Sequence, residues 1–252
     1  MNKEEILVVI PFLASGAQGR ELTLAVTGWR THFKTPYHIV VVGDAHPITE
    51  TGDDISFLPC PRIEWDADDI DNYIPHIDHV HKFREVQRAF PNTRGCIYAC
   101  DDMYALKDFD FGTVEYPKIV AKDMGGNIHH PNGWIRDMAK THTLCIREGL
   151  PVLNYVCHLP VWYEWDKLFA VYDKYNMDKQ SYIVENIYYN LYHDSRTPIM
   201  IDGTDKIRCW IKNRKDDVVK YQNGFMGCVW CCNTPNGWSV ELENEVAKHY
   251  GI

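Results

Sequence analysis

Two adjacent carboxylates, Asp101 and Asp102, stand between apolar runs in Cys96-Ile97-Tyr98-Ala99-Cys100-Asp101-Asp102-Met103-Tyr104-Ala105-Leu106. Carboxylates beside a core are costly unless they are paired, hydrogen-bonded or bound to a metal. Two like charges at a strand end point to a hard cation, and a cation held by carboxylates often carries a phosphate. The plain alternative is a turn, because Asp-Asp is common at strand ends and helix N-caps.

The elements around the pair decide what it can face. Ile6 to Leu13 is a continuous apolar run, the pattern of a strand buried on both faces of a parallel sheet. A small-residue loop, Ala14 to Arg20, leads to a helix from Glu21 to Phe33 with one broad apolar face. A second strand runs from Tyr37 to Val42 and ends at Gly43-Asp44, and a short third from Ile55 to Leu58. Glu64 to Asp78 is acidic and reads as a solvated loop, and His79 to Phe90 as a helix stopped by Pro91. Gly95 to Cys100 is the central strand.

This alternation predicts an α/β fold with a mixed, mostly parallel central sheet flanked by helices. Ligands of such sheets bind at the carboxyl ends of the strands. Pro11-Phe12, Asp44 and Asp101-Asp102 should then converge.

After residue 110 the character changes. Pro117 to Ala121 suits a strand, and residues 123–134 form a loop rich in Gly, Asn and His. Ile135 to Gly149 suits a helix with a C-cap glycine. Tyr155 to Tyr163 is short and apolar, and helices are expected at 165–175, 182–192 and 240–250. Two short strands are expected within 207–232. A single domain over 1–252 follows, with a nucleotide-side half (1–110) and an acceptor-side half (111–252).

Composition narrows the classes. Hydrophobic residues make up 45%, enough for a folded core. A net charge of -9 argues against nucleic-acid partners and a polybasic membrane anchor. No apolar stretch reaches transmembrane length, and the acidic N-terminus does not read as a signal peptide. A cytoplasmic location is expected, and reduced thiols suit the nine cysteines. Cys228, Cys231 and Cys232 form a C-x-x-C-C cluster whose use for zinc would need another ligand, Cys209 being the nearest candidate. Neither the dinucleotide fingerprint, the P-loop nor the hydrolase elbow occurs.

The order of these features resembles a GT-A glycosyltransferase: a first strand ending in Pro, a helix opening on Arg20-Glu21-Leu22, a strand ending in Gly-Asp, and a later one ending in Asp-Asp. Gly19-Arg20-Glu21-Leu22, Asp101-Asp102-Met103-Tyr104 and Cys157-His158-Leu159-Pro160 also resemble, in order, motifs of the Stealth proteins, which transfer sugar phosphates. The likeness spans roughly residues 6 to 190 in scattered short motifs. Cys100 and Met103 stand where a full Asp-x-Asp motif would place another acid.

The resemblance implies a metal-dependent glycosyltransferase with a nucleotide-sugar donor, a divalent cofactor (Mn²⁺ or Mg²⁺) and a glycan-type acceptor, its place being polysaccharide biosynthesis. Asp102 would touch the metal, with Asp101 on the sugar or ribose hydroxyls or on the metal. His158 would be a third metal ligand or a general base. Arg20 and Lys82 would reach the nucleotide, and Pro11, Phe12 and Asp44 would line the base and ribose pocket. His130, Asn132, Trp134 and Trp162 would bind the acceptor, since sugars stack their C–H faces on aromatic rings. Asp137 and Glu164 are both candidate catalytic bases. A Stealth-like sugar-1-phosphate transferase and a non-catalytic carbohydrate-binding protein on the same fold are the alternatives.

Overall fold

The computed structural model describes residues 6–45, 52–64, 73–192, 197–201, 206–214 and 227–252. Four of the five strands in its main sheet are the apolar runs of the first hundred residues. These are β1 (Ile6–Phe12), β2 (Tyr37–Gly43), β3 (Ile55–Pro59) and β4 (Gly95–Tyr98), with β5 (Met103–Ala105) following directly. Helix α1 (Glu21–His32) joins β1 to β2, and α2 (Ile74–Ala89) precedes β4. Then come α3 (Phe111–Glu115), β6 (Lys118–Ile119), α4 (Gly133–Arg147), β7 (Val161–Glu164), α5 (Trp165–Lys174) and α6 (Val184–Tyr192). The chain closes with β8 (Ile199–Met200), β9 (Arg208–Ile211), β10 (Trp230–Asn233) and α7 (Val240–Tyr250).

The main sheet has the order β3-β2-β1-β4-β7, and β1 to β4 are parallel. Their carboxyl ends therefore share one edge, with Phe12 beside Gly43 and Gly43 beside Pro59. Only β7 runs antiparallel, pairing Val161 with Tyr98 and Glu164 with Gly95. It enters the sheet at the carboxyl edge and leaves at the opposite one. A second sheet, β5-β10-β9, continues from the turn after β4, and a two-stranded pairing joins β6 to β8.

Alternation along β1 explains the layers, since successive side chains of a strand point to opposite faces. Leu7 and Val9 join a core with Phe83 and Val86 of α2, Leu168 of α5 and Ile187 of α6. Val8 and Ile10 face the other way, onto Val26 and Trp29 of α1 and onto Trp230 and Cys232 of β10. The opposite side of α1 packs on Tyr104, Cys231 and Val246. Gly28 permits that approach, for a Cβ there would lie 2.5 Å from the Tyr250 hydroxyl and 3.0 Å from the Ala105 nitrogen.

Several element boundaries differ from the expected ones. Helix α2 begins at Ile74, inside the stretch expected as a loop, with Pro75 in its first turn where no backbone donor is needed. Asp66, Asp68, Asp69 and Asp71 of that stretch lie outside the described residues. Strand β4 ends at Tyr98, two residues early, because the backbone turns at Asp101-Asp102 to feed β5. Helix α4 starts two residues early at Gly133 and ends at Arg147, with Gly149 beyond it at φ 69°.

Candidate active site

Asp101 and Asp102 sit in the turn between β4 and β5, where the main sheet hands over to the second. Both are half-buried. Burial raises Asp101 from 3.8 to about 6. Burial likewise pushes Asp102 well above the usual carboxylate range, and the charges of Asp101 and Glu21 push it further. Glu21, at the start of α1, is only 5% exposed. Burial lifts it from 4.5 to about 7 against the pull of hydrogen bonds from Asn233 and Gln18. Three carboxylates thus repel one another at one point of the carboxyl edge.

Asn233 holds that point together. Its Nδ2 donates to Glu21 Oε1 at 2.7 Å, its Oδ1 accepts from the Tyr104 hydroxyl at 2.8 Å, and its backbone N–H reaches the Asp102 carbonyl at 3.3 Å. It is 1% exposed. The sequence signal for it was a polar residue closing the apolar run Val229-Trp230-Cys231-Cys232.

A cavity of about 220 Å³ adjoins the pair. Cys100 and Met103, on either side of the two aspartates, line it with Tyr98, Trp134, His158 and Glu185. The Cys100 thiol donates to the Tyr98 hydroxyl at 3.2 Å. Both groups sense the charges of Asp102 and Glu185, so the two carboxylates flank the same Tyr-Cys pair. Glu185 is raised chiefly by burial, with its own backbone and His76 acting against the rise. The signal for it was an acid within Tyr182-Ile183-Val184-Glu185-Asn186-Ile187, an otherwise apolar helix start.

His76 also lines the cavity. Its Nδ1 pairs with Asp137 Oδ2 at 2.6 Å. The other oxygen of Asp137 accepts from Ser181 Oγ and from Lys140 Nζ, both at 2.8 Å. With Asp137 as acceptor, the proton of this hydrogen bond belongs on Nδ1. His79, a turn along α2, is held neutral: burial lowers it to about 3. The sequence singles out neither histidine, because the acidic residues before His79 carry the pattern of a solvated loop.

The expected residues distribute as follows. Trp134 is on the cavity wall. His158, just before β7, is on it as well, at φ 45° and against Trp210, with centroids 4.4 Å apart and the planes tilted by 31°. Burial lowers His158 to about 4, and Arg208 and Lys212 add to the effect. Both cations lie over that indole ring, at 4.8 Å and 4.3 Å from its centroid. Asp44 is exposed beyond β2 and accepts from the Ala14 backbone at 2.9 Å, tying the ends of β1 and β2. Pro11 is half-buried at the end of β1.

Other expected residues have structural partners, and several lie away from the cavity. Asp137 is 1% exposed and filled by its three partners, so it supports His76 and does not reach a substrate. Glu164 is at the amino edge of the sheet, opposite Gly95, where it pairs with Arg94 at 2.7 Å and Lys167 at 3.2 Å. Trp162 is 7% exposed and packs edge-on against Phe111 in the core, because β7 turns it away from the cavity. Phe12 is core by the same alternation. Lys82 is 2% exposed and bonded to Asp78. Arg20 joins Glu243 at 2.8 Å, tying α1 to α7. Asn132 caps α4 by accepting from the Trp134 backbone at 2.9 Å, and His130 Nδ1 accepts from the Asn132 backbone at 3.0 Å.

Among the described residues no three His, Cys, Asp or Glu side chains converge to hold a metal. His158 therefore does not complete a protein-only site with the Asp pair. Seven of the nine cysteines are buried, no disulfide joins any of the described residues, and Cys231 faces Cys209 across β10 and β9. Burial pushes the Cys231 thiol up, and Cys209 adds to that. No described helix is long and apolar enough to cross a membrane.

No protein-family model matches the chain. No curated protein sequence matches it either. Among solved structures it is similar to the apo-form glycosyltransferase GlyE of Streptococcus pneumoniae TIGR4, at 13% identity and a TM-score of 0.41. The alignment covers 98% of this chain and 60% of that one, so this chain spans about three fifths of its neighbour's length.

Proposed function

We propose that this chain transfers a sugar from a nucleotide-sugar donor to a glycan-type acceptor. The observation that supports this reading is the juxtaposition at one sheet edge of an acidic turn and an aromatic-walled cavity. The turn is Asp101-Asp102, and the cavity walls include Tyr98, Trp134 and Glu185. A diphosphate with its counter-ion suits the first, and a sugar ring suits the second.

The fit to a divalent ion can be judged from the donor set. Asp101 and Asp102, both raised by burial, are a pair of hard oxygen donors short of positive charge. Magnesium-type ions are commonly held by one or two carboxylates together with substrate phosphates rather than by an all-protein cage. The residues present fit that arrangement, with Asp102 and Asp101 as ligands. When bound, the ion would neutralise the diphosphate and ease its departure.

Each remaining role belongs to a side chain. Asp44 and Pro11, at the ends of β2 and β1, face the donor's base and ribose. Arg208 and Lys212 put positive charge beside His158, on the diphosphate side. His76 takes the proton of the acceptor hydroxyl at Nε2, with Asp137 stabilising the resulting imidazolium. The acceptor oxygen bonds to the anomeric carbon, the bond from that carbon to the diphosphate breaks, and its electron pair leaves with the phosphate.

The test is a melting experiment with UDP or GDP and Mn²⁺. Both together should raise the melting temperature, and Asp102→Ala should abolish the rise. Absence of a shift with every nucleoside diphosphate sinks the reading. Release of a nucleoside monophosphate, instead of a diphosphate, on turnover would identify sugar-1-phosphate transfer.

A further inference from the structure

The cavity has an unusual charge balance. Glu185 is the one acidic side chain on its wall among the described residues, and no Lys or Arg lines it. The cations nearby stand behind the wall and have partners. Lys140 is bound to Asp137, and Arg84 bonds Asp173 and Asp178 at 2.8 Å and 2.7 Å. Arg208 and Lys212 flank Trp210 beyond His158. Burial keeps His79 and His158 neutral, so these imidazoles do not oppose a positive guest, and His76, the third imidazole on the wall, is paired with the buried carboxylate of Asp137.

Six aromatic rings share the rest of the wall with aliphatic and sulfur-bearing side chains. Tyr73, Tyr98, Trp134, Tyr155, Tyr172 and Tyr182 all contribute. Ring faces carry negative quadrupole charge and attract a cation within about 6 Å of the centroid. Glu185 makes no ion pair among the described residues, and burial raises its pKa, so the carboxylate lacks the counter-charge its surroundings favour. A second polar group is also unanswered. The Tyr172 side chain is 0% exposed, and its hydroxyl has no hydrogen-bond partner. A cavity of about 220 Å³ is smaller than the roughly 300–1,000 Å³ typical of drug-sized ligands, so it suits one ring or one headgroup.

We propose that this cavity binds an organic ammonium group, caged by the aromatic wall with Glu185 as its counter-ion. Phosphates and carboxylates are excluded by the same charge balance. The inference does not require sugar transfer. If the transferase reading also holds, the cavity is the acceptor side and the acceptor carries a positively charged nitrogen.

The test compares choline with 3,3-dimethylbutan-1-ol, its uncharged isostere, and with glucose as a neutral polyol. Binding is read by titration calorimetry and by the fluorescence change on titration, since Trp134 lines the cavity. No nucleotide is present, so the outcome is independent of donor binding. Choline should bind at least tenfold more tightly than either neutral probe. Glu185→Gln should remove that preference while leaving the weak binding of the isostere unchanged, and Tyr172→Phe should retain most of it.

Should Glu185→Gln fail to fold, Trp134→Leu takes its place, and choline affinity should then fall at least tenfold. The proposal is overturned if glucose or the isostere binds as well as choline, or if none of the three binds. Undiminished choline binding in the variant tested overturns it equally.

Discussion

Glu21 carries a cost of burial at the carboxyl edge, to which the charges of Asp101 and Glu243 add. Its folded pKa is about 7, against an ordinary 4.5. A carboxyl raised in this way binds protons more readily in the folded chain than in the unfolded one. Its penalty is absent below about 4.5, grows as pH rises, and is complete above about 7. At about 1.4 kcal/mol per pKa unit, the full penalty at pH 8 is about 3 kcal/mol as an upper bound. Glu21→Gln removes that charge and keeps an oxygen for Asn233. It also turns an amide donor towards the Gln18 N–H, which loses a hydrogen bond worth about 1 kcal/mol.

The variant should therefore be more stable than the wild type by about 2 kcal/mol at pH 8 and less stable by about 1 kcal/mol near pH 4. The two stability curves should cross between these values. Urea melts from pH 4 to pH 8 on both proteins provide the assay, and at pH 8 the midpoint should rise by about 4–8 °C in thermal scans. Curves that run parallel across the range would refute the burial argument, as would a variant less stable than the wild type at pH 8.

Three further outcomes are expected. Asp78→Ala leaves the Lys82 ammonium buried and unpaired, at about 3–5 kcal/mol, and adding Lys82→Met should restore most of the loss in urea melts. Asp137→Ala strips His76, Lys140 and Ser181 of their acceptor and should destabilise by about 3 kcal/mol. Glu164→Gln, at the far edge of the sheet, should change stability by less than about 1 kcal/mol and leave nucleotide-dependent melting shifts as in the wild type.

The sequence made the scaffold readable because β1 and β2 are buried on both faces and so appear as unbroken apolar runs. It placed the Asp pair at a strand end for the same reason. Strand β7 was harder to see, because Val161-Trp162-Tyr163-Glu164 carries no turn signal of its own and its antiparallel pairing is a tertiary choice. That choice decides the fate of three expected site residues. It brings His158 to the carboxyl edge, carries Glu164 to the other, and turns Trp162 into the core. His76 and Glu185 meet across the cavity from α2 and α6, more than a hundred residues apart, and no local spacing encodes that meeting. The aromatic richness was legible, but which rings face a cavity and which fill the interior depends on helix packing.

Asn233 touches Glu21, Tyr104 and the Asp102 carbonyl, although it lies over 200 residues after the first and about 130 after the last. A chain emerging from the ribosome will have completed every parallel strand of the main sheet while this clasp is still unmade. Until then the acidic turn lacks the strand it pairs with, and its charges are unrestrained. A shortened chain ending before Trp230 would retain Asp101, Asp102 and all five strands of the main sheet, yet lose the geometry that sets the two carboxylates. The acidic turn thus depends on a segment made long after it, and its geometry is set only once that segment has arrived.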